Sequence, residues 1–162
     1  MKKAIAIIVM MAMATAVMAG DLVAEFGSWR VTKHEQIIDG SVMYVAMLDA
    51  EVSQGTLRTP RLAVRLGDSG LDVLVMWGGY SLDRDAPPVY VVLDGEYTHW
   101  EYTLADSMET LFLSVDTLPI LLSAEVVAMQ VDKASRGGMV ARWQLAGMGD
   151  AVAYMQEAMA KM

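Results

Sequence analysis

Val89-Tyr90-Val91-Val92-Leu93-Asp94-Gly95-Glu96-Tyr97-Thr98-His99-Trp100 decides the fold. Two β-prone, alternating runs flank Asp94-Gly95. A two-residue hairpin turn needs positive φ at both central positions, which Asp tolerates and Gly favours. With a turn that tight, paired residue numbers sum to 189, so Val89 faces Trp100 and Val91 faces Thr98 on one side. On the other side Tyr90 meets His99 and Val92 meets Tyr97. The second strand is expected to run on from Glu96 to Leu104, giving the hairpin a core side and a partly aromatic outer side.

The same grammar extends in both directions. Trp29–Glu35 alternates, with Trp29, Val31 and Lys33 in phase; Ile37-Ile38-Asp39-Gly40 reads as a connection, and Val42–Leu48 as an apolar strand. Arg61–Leu66 follows Pro60 and stops at the turn-rich Gly67-Asp68-Ser69-Gly70. Leu71–Trp77 then places Leu71, Val73, Val75 and Trp77 on one face. Downstream, Thr110–Val115 reads as a strand, and Asp116 or Thr117 as the cap of a short helix over Leu118–Ala124 with Pro119 in its first turn. Glu125–Lys133 and Met139–Leu145 form a second hairpin, and Asp150 is the expected cap of a helix over Ala151–Lys161 with Val152, Met155 and Met159 on one stripe. The expectation is a mainly β, α+β domain: an antiparallel β-sandwich or strongly bent sheet of seven to nine strands, with a short helix and a C-terminal helix.

Residues 1–20, MKKAIAIIVMMAMATAVMAG, have the grammar of an export signal. Lys2 and Lys3 precede an uncharged run of 17 residues from Ala4 to Gly20, and Val17 and Ala19 suit the small-residue positions of a signal-peptidase site. Cleavage is expected after Ala19, leaving residues 20–162 as one domain in the periplasm with no membrane span. The run is shorter than the ~20 residues of a spanning helix, and no cysteine follows the cut to carry a lipid.

Composition narrows the chemistry. The 162 residues are 55% hydrophobic and 20% charged, far too apolar for a disordered chain. The formal charge is −8, and loss of Lys2 and Lys3 makes it −10, which opposes binding to nucleic acid. The absence of cysteine excludes disulfides, zinc–thiolate sites, iron–sulfur clusters and a thiol nucleophile. Two histidines, His34 and His99, are too few and too far apart for an imidazole metal site. The methionines form no tight cluster and read as core filler.

Three carboxylate pairs, Asp49/Glu51, Asp83/Asp85 and Asp94/Glu96, have the spacing a glycosidase could exploit, but each straddles a turn or strand end, where solvated carboxylates are ordinary. Asp83-Arg84-Asp85 lacks the oxygen-rich, glycine-centred loop of a calcium site. No Gly-x-Ser-x-Gly elbow exists, and Gly78-Gly79 lacks the lysine and helix of a phosphate loop. The reading is therefore no catalytic residues, no metal and no cofactor. Candidate partner-binding residues are Tyr80, Asp83, Arg84 and Asp85, on the loop that leaves the sheet after Trp77, together with Tyr90, Tyr97 and His99 on the outer face of the hairpin.

Several segments, in order, resemble one family. They are Gly27-Ser28-Trp29-Arg30-Val31, strand 42–48 ending in acids, Thr59-Pro60-Arg61-Leu62-Ala63-Val64-Arg65, Val75-Met76-Trp77-Gly78, Val89–Asp94, Trp100, and Trp143-Gln144-Leu145-Ala146-Gly147 before a closing helix. Together they resemble the periplasmic proteins associated with type VI secretion clusters, the TagO and VasI group. The resemblance implies an accessory envelope role and supplies no catalytic residues. It also marks a divergent member: Leu66 stands where the family pattern has a cysteine, and the closing helix lacks the second. The leading expectation is a periplasmic, non-enzymatic protein that binds an envelope protein, and the negative charge suits a basic one. The alternatives are an inhibitor of a cationic, lysozyme-type cell-wall hydrolase and, behind it, a peptidoglycan-active enzyme.

Overall fold

A computed structural model describes residues 20–85, 88–135 and 137–162. The expected export segment, residues 1–19, lies outside the described residues. Twelve strands and two helices follow in order: β1 Asp21–Phe26, β2 Trp29–Glu35, β3 Val42–Asp49, β4 Val52–Gln54, β5 Arg61–Gly67, β6 Gly70–Met76, β7 Val89–Leu93, β8 Glu96–Trp100, β9 Tyr102–Leu104, β10 Thr110–Leu113, α1 Thr117–Ser123, β11 Val126–Asp132, β12 Gly138–Gln144 and α2 Met148–Ala160. These are the elements among the described residues, and they build two antiparallel sheets. The larger has the order β1-β2-β3-β5-β6-β10-β9, the smaller β4-β12-β11-β7-β8. The fold is thus the mainly β, α+β sandwich expected.

The hairpin that opened the reading is built as its sequence dictates. All five β7–β8 pairs sum to 189, from Val89↔Trp100 to Leu93↔Glu96. Asp94 and Gly95 sit at φ 49° and 92°, the pair of positive values the turn requires. A Cβ at Gly95 would meet no atom within 4 Å, so only backbone strain opposes a larger residue. Gly95→Val is expected to cost about 1–3 kcal/mol, read as a lower melting temperature; unchanged melting would mean the turn is built otherwise.

The core lies between the sheets. Trp29, Trp77 and Trp143 are fully buried there, with the rings of Trp77 and Trp143 edge to face at 6.1 Å. None of the three indole Nε1 atoms has a hydrogen-bond partner among the described residues. Val89, Val91, Val127, Met129, Met139 and Ala141 supply the smaller sheet's side of the same core. Helix α2 packs on β1, β2, β3 and β5 through Met148, Ala151, Val152 and Met155. It covers inner-face area that the five-stranded sheet leaves bare.

Three expectations need correction, and a fourth, the cap of the short helix, holds in position. The strands among the described residues number twelve, above the seven to nine expected: β1 and β4 have no counterpart in the sequence reading, and one expected strand divides in two. The run Glu96–Leu104 is two strands, since the chain leaves the smaller sheet at Glu101 and β9 joins the edge of the larger one beside β10. Asp150 does not cap α2: the helix begins at Met148 behind Gly147, whose φ of 90° sets the entry, and Asp150 lies in the first turn. At α1, Asp116 holds the cap position without a side-chain bond, and the Thr117 hydroxyl donates to the Ser114 carbonyl at 2.6 Å.

Candidate functional site

The smaller sheet exposes its outer face. Residues of β7 and β8 alternate about the sheet plane, so the phase that buries Val89 and Val91 turns Tyr90, Val92, Tyr97 and His99 outward. Tyr90 and Tyr97 stack at 6.2 Å with their planes 26° apart. Tyr97 is 68% exposed and Val92 37%. Strand β8 ends the sheet, with β7 on one side and no strand on the other among the described residues.

The loop after Trp77 is a brace more than an arm. Leu82 is buried and forms an isolated bridge with Lys133. Leu82 N–H donates to the Met108 carbonyl at 2.6 Å, Asp83 N–H to Asp132 at 3.2 Å, and Ala134 N–H to Ser81 at 2.9 Å. Tyr80 packs against the core, with the Lys133 ammonium 4.4 Å from its ring centre. Tyr80 is therefore partly structural, against the expectation of an extended contact residue. Arg84 stays exposed, its Nε reaching Met108 Sδ at 3.4 Å, while Asp83 accepts from the Asp85 amide at 3.1 Å in a local turn.

The two candidate regions do not merge into one patch. Of the candidate residues, Arg84 alone borders a cleft of about 540 Å³, lined also by Pro88, Glu101, Tyr102, Leu104 and Asp106, at the point where β8 gives way to β9. Burial holds the Tyr102 phenol above its ordinary value of 10, helped by the negative charges of Asp83, Asp132 and Glu101. The unfolded chain then releases this proton first as pH rises. The contribution to stability is whole below pH 10 and is lost on rising through the folded value. In an ultraviolet titration Tyr102 is expected to ionise above its ordinary value, and Asp83→Asn to bring it part of the way down. A Tyr102→Phe variant with an unchanged titration curve would contradict this.

At least one carboxylate of each of the three pairs makes a structural contact. Asp49 bridges Arg30 and Arg61, each at 2.8 Å. Asp94 accepts the Glu125 amide at 3.0 Å and the Val126 amide at 2.8 Å, tying the hairpin turn to the start of β11. Glu51 meets Gln144 at 3.4 Å. Among the described residues no group of three or more His, Asp or Glu side chains could hold a metal ion. His34 is buried, its Nε2 3.0 Å from Thr32 Oγ1.

Sequence reasoning missed two features. Ile37 and Ile38 stand wholly in solvent, at 101% and 94% exposure, on the β2–β3 turn held by Gln36 N–H to Ser41 and Gly40 N–H to Gln36. The other is charge. Between residues 85 and 132 the chain carries nine carboxylates and neither lysine nor arginine, a signal visible in the sequence. That stretch builds β7 to β11, and with it the open edge and most of the cleft.

Compared with known proteins, the chain matches no family model, no curated protein and no solved structure. No helix among the described residues is long and apolar enough to cross a membrane.

Proposed function

We propose that this chain is an exported accessory protein of the cell envelope that works by binding another protein, without turnover, in the manner its resemblance to the type VI secretion-associated group implies. The observation that carries the reading is the uncovered outer face of the smaller sheet, where Tyr90, Val92 and Tyr97 lie beside an open strand edge. Exposed aromatic groups on a rigid strand suit recognition, because little side-chain entropy is lost on binding. The signal-like segment 1–19 supports periplasmic residence, and the structural contacts made by at least one carboxylate of each pair support a binding role over hydrolysis.

A second reading, inhibition of a cationic cell-wall hydrolase, is favoured by the run of nine carboxylates, which would steer a basic enzyme to this side of the molecule. One experiment separates the readings. A photo-crosslinking amino acid replaces Tyr97 in the exported protein, and adducts are identified by mass, as is the N-terminus, expected at Gly20. A discrete adduct with an envelope or secretion component is the expected result. An adduct with a hydrolase that loses activity in the complex selects the second reading. Release of peptidoglycan fragments by the purified chain alone would overturn both.

A further inference from the structure

We propose that β8 is a docking edge for an extended, cationic segment of a partner protein, which adds to the smaller sheet as a sixth strand bonded to the backbone of Tyr97 and His99. The inference rests on the reading of the chain as a binding protein and specifies how and what it binds.

The first argument is the hairpin's own hydrogen-bond phase. Beside a two-residue turn the flanking pair, Leu93↔Glu96, is the bonded one, and bonded and non-bonded pairs then alternate. Glu96, Thr98 and Trp100 therefore spend their backbone groups on β7. The N–H and C=O groups of Tyr97 and His99 point away from it, toward the open side. Their side chains stand on the outer face, so an added strand would find backbone partners and aromatic contacts at the same two residues.

The second argument compares the four sheet edges. Exposed edges invite strand pairing, and proteins blunt them with brevity, bulges, charge or cover. Strands β4 and β9 are three residues long. Strand β1 has a register shift between Leu22 and Ala24 and packs against α2. Strand β8 lacks brevity, bulge and cover, and the only formal charges at its edge are the carboxylates of Glu96 and Glu101. It is five residues in unbroken register and carries no lysine or proline; apart from Trp100, which enters the core, its packing among the described residues is mainly on β7.

The third argument selects the occupant. Glu96 and Glu101 bracket the edge, Asp106 lines the adjoining cleft, and the acid-only stretch 85–132 surrounds them. A second copy pairing antiparallel about Thr98 would bring Glu101 beside the other copy's Glu96, and each mature chain carries a charge of −10. A strand with lysine or arginine at its ends meets opposite charge at both, and strand addition itself asks little of the residues between.

The test uses the mature chain and a synthetic nine-residue peptide alternating valine and threonine, with a lysine at each end and blocked termini. Amide-resolved NMR titration is expected to shift β7–β8 resonances and to slow hydrogen exchange at Tyr97 and His99. Replacing the lysines by glutamates should weaken binding at least tenfold, as should N-methylation of alternate peptide amides. His99→Pro removes an outward N–H and no ladder bond, so it should fold and bind at least tenfold more weakly. Tyr97→Pro serves if that variant fails to fold, and the N-methylated peptide needs no variant. Shifts centred on β1, β4 or β9, equal affinity for the glutamate peptide, or no binding by the lysine peptide would overturn the proposal. So would a dimer in sedimentation with Tyr97 and His99 already protected. An envelope partner that binds the proline variant as well as the parent removes strand addition and leaves the accessory role standing. Peptide binding at β8 with no envelope partner does the reverse.

Discussion

Trp77→Ala is expected to lower stability by about 3–5 kcal/mol, the usual cost of emptying a large buried aromatic site. Trp77 is fully enclosed and meets Trp143, which comes from the opposite sheet, so the void would open where the two layers touch. In a domain of this size that is on the order of 10 °C in melting temperature. Trp77→Phe should cost less than half as much. The phenyl ring keeps most of the contact, and the indole N–H it discards has no acceptor among the described residues. Chemical denaturation of both variants checks the pair of values; equal losses would mean that the N–H is bonded after all.

Gly78→Ala is the second large effect expected, about 2–4 kcal/mol. Gly78 adopts φ 74°, and its carbonyl accepts the Arg58 N–H at 2.8 Å, docking the exit of β6 on the loop before β5. A Cβ there would collide with the Arg58 carbonyl, which is backbone and cannot swing aside. Backbone strain and overpacking therefore add. Gly95→Ala provides the control: positive φ again, but open space around the added methyl, so only the smaller conformational cost remains. Comparable losses at the two sites would show that φ alone decides.

What was legible in the sequence follows where its signals were local. The β7–β8 register was readable because Asp-Gly fixes the turn and alternation fixes the faces, and that brought Tyr90 and Tyr97 together correctly. Strand β4 was not readable: Val52, Ser53 and Gln54 are all exposed, and they form a strand because β12 offers them an edge. The split after Trp100 leaves no Gly or Pro to mark it, since Glu101 crosses between sheets without a turn. Tyr80 looked like a free contact residue because nothing nearby in sequence reveals that Lys133 lies over its ring. The acid-only stretch was plain in the letters, but its meaning depended on learning that β8 is an edge.

The pairing of β4 with β12 has a kinetic consequence. Gln54 must wait for Val140, and the chain passes between the sheets five times, at β3–β4, β4–β5, β6–β7, β8–β9 and β10–β11. Contacts so distant along the chain are slow to close. The larger sheet's β1-β2-β3 meander can assemble early from neighbours, whereas the smaller sheet completes only after β12 has emerged. Refolding is accordingly expected on the millisecond-to-second scale, with Trp143, at the end of β12, among the last indoles to leave water.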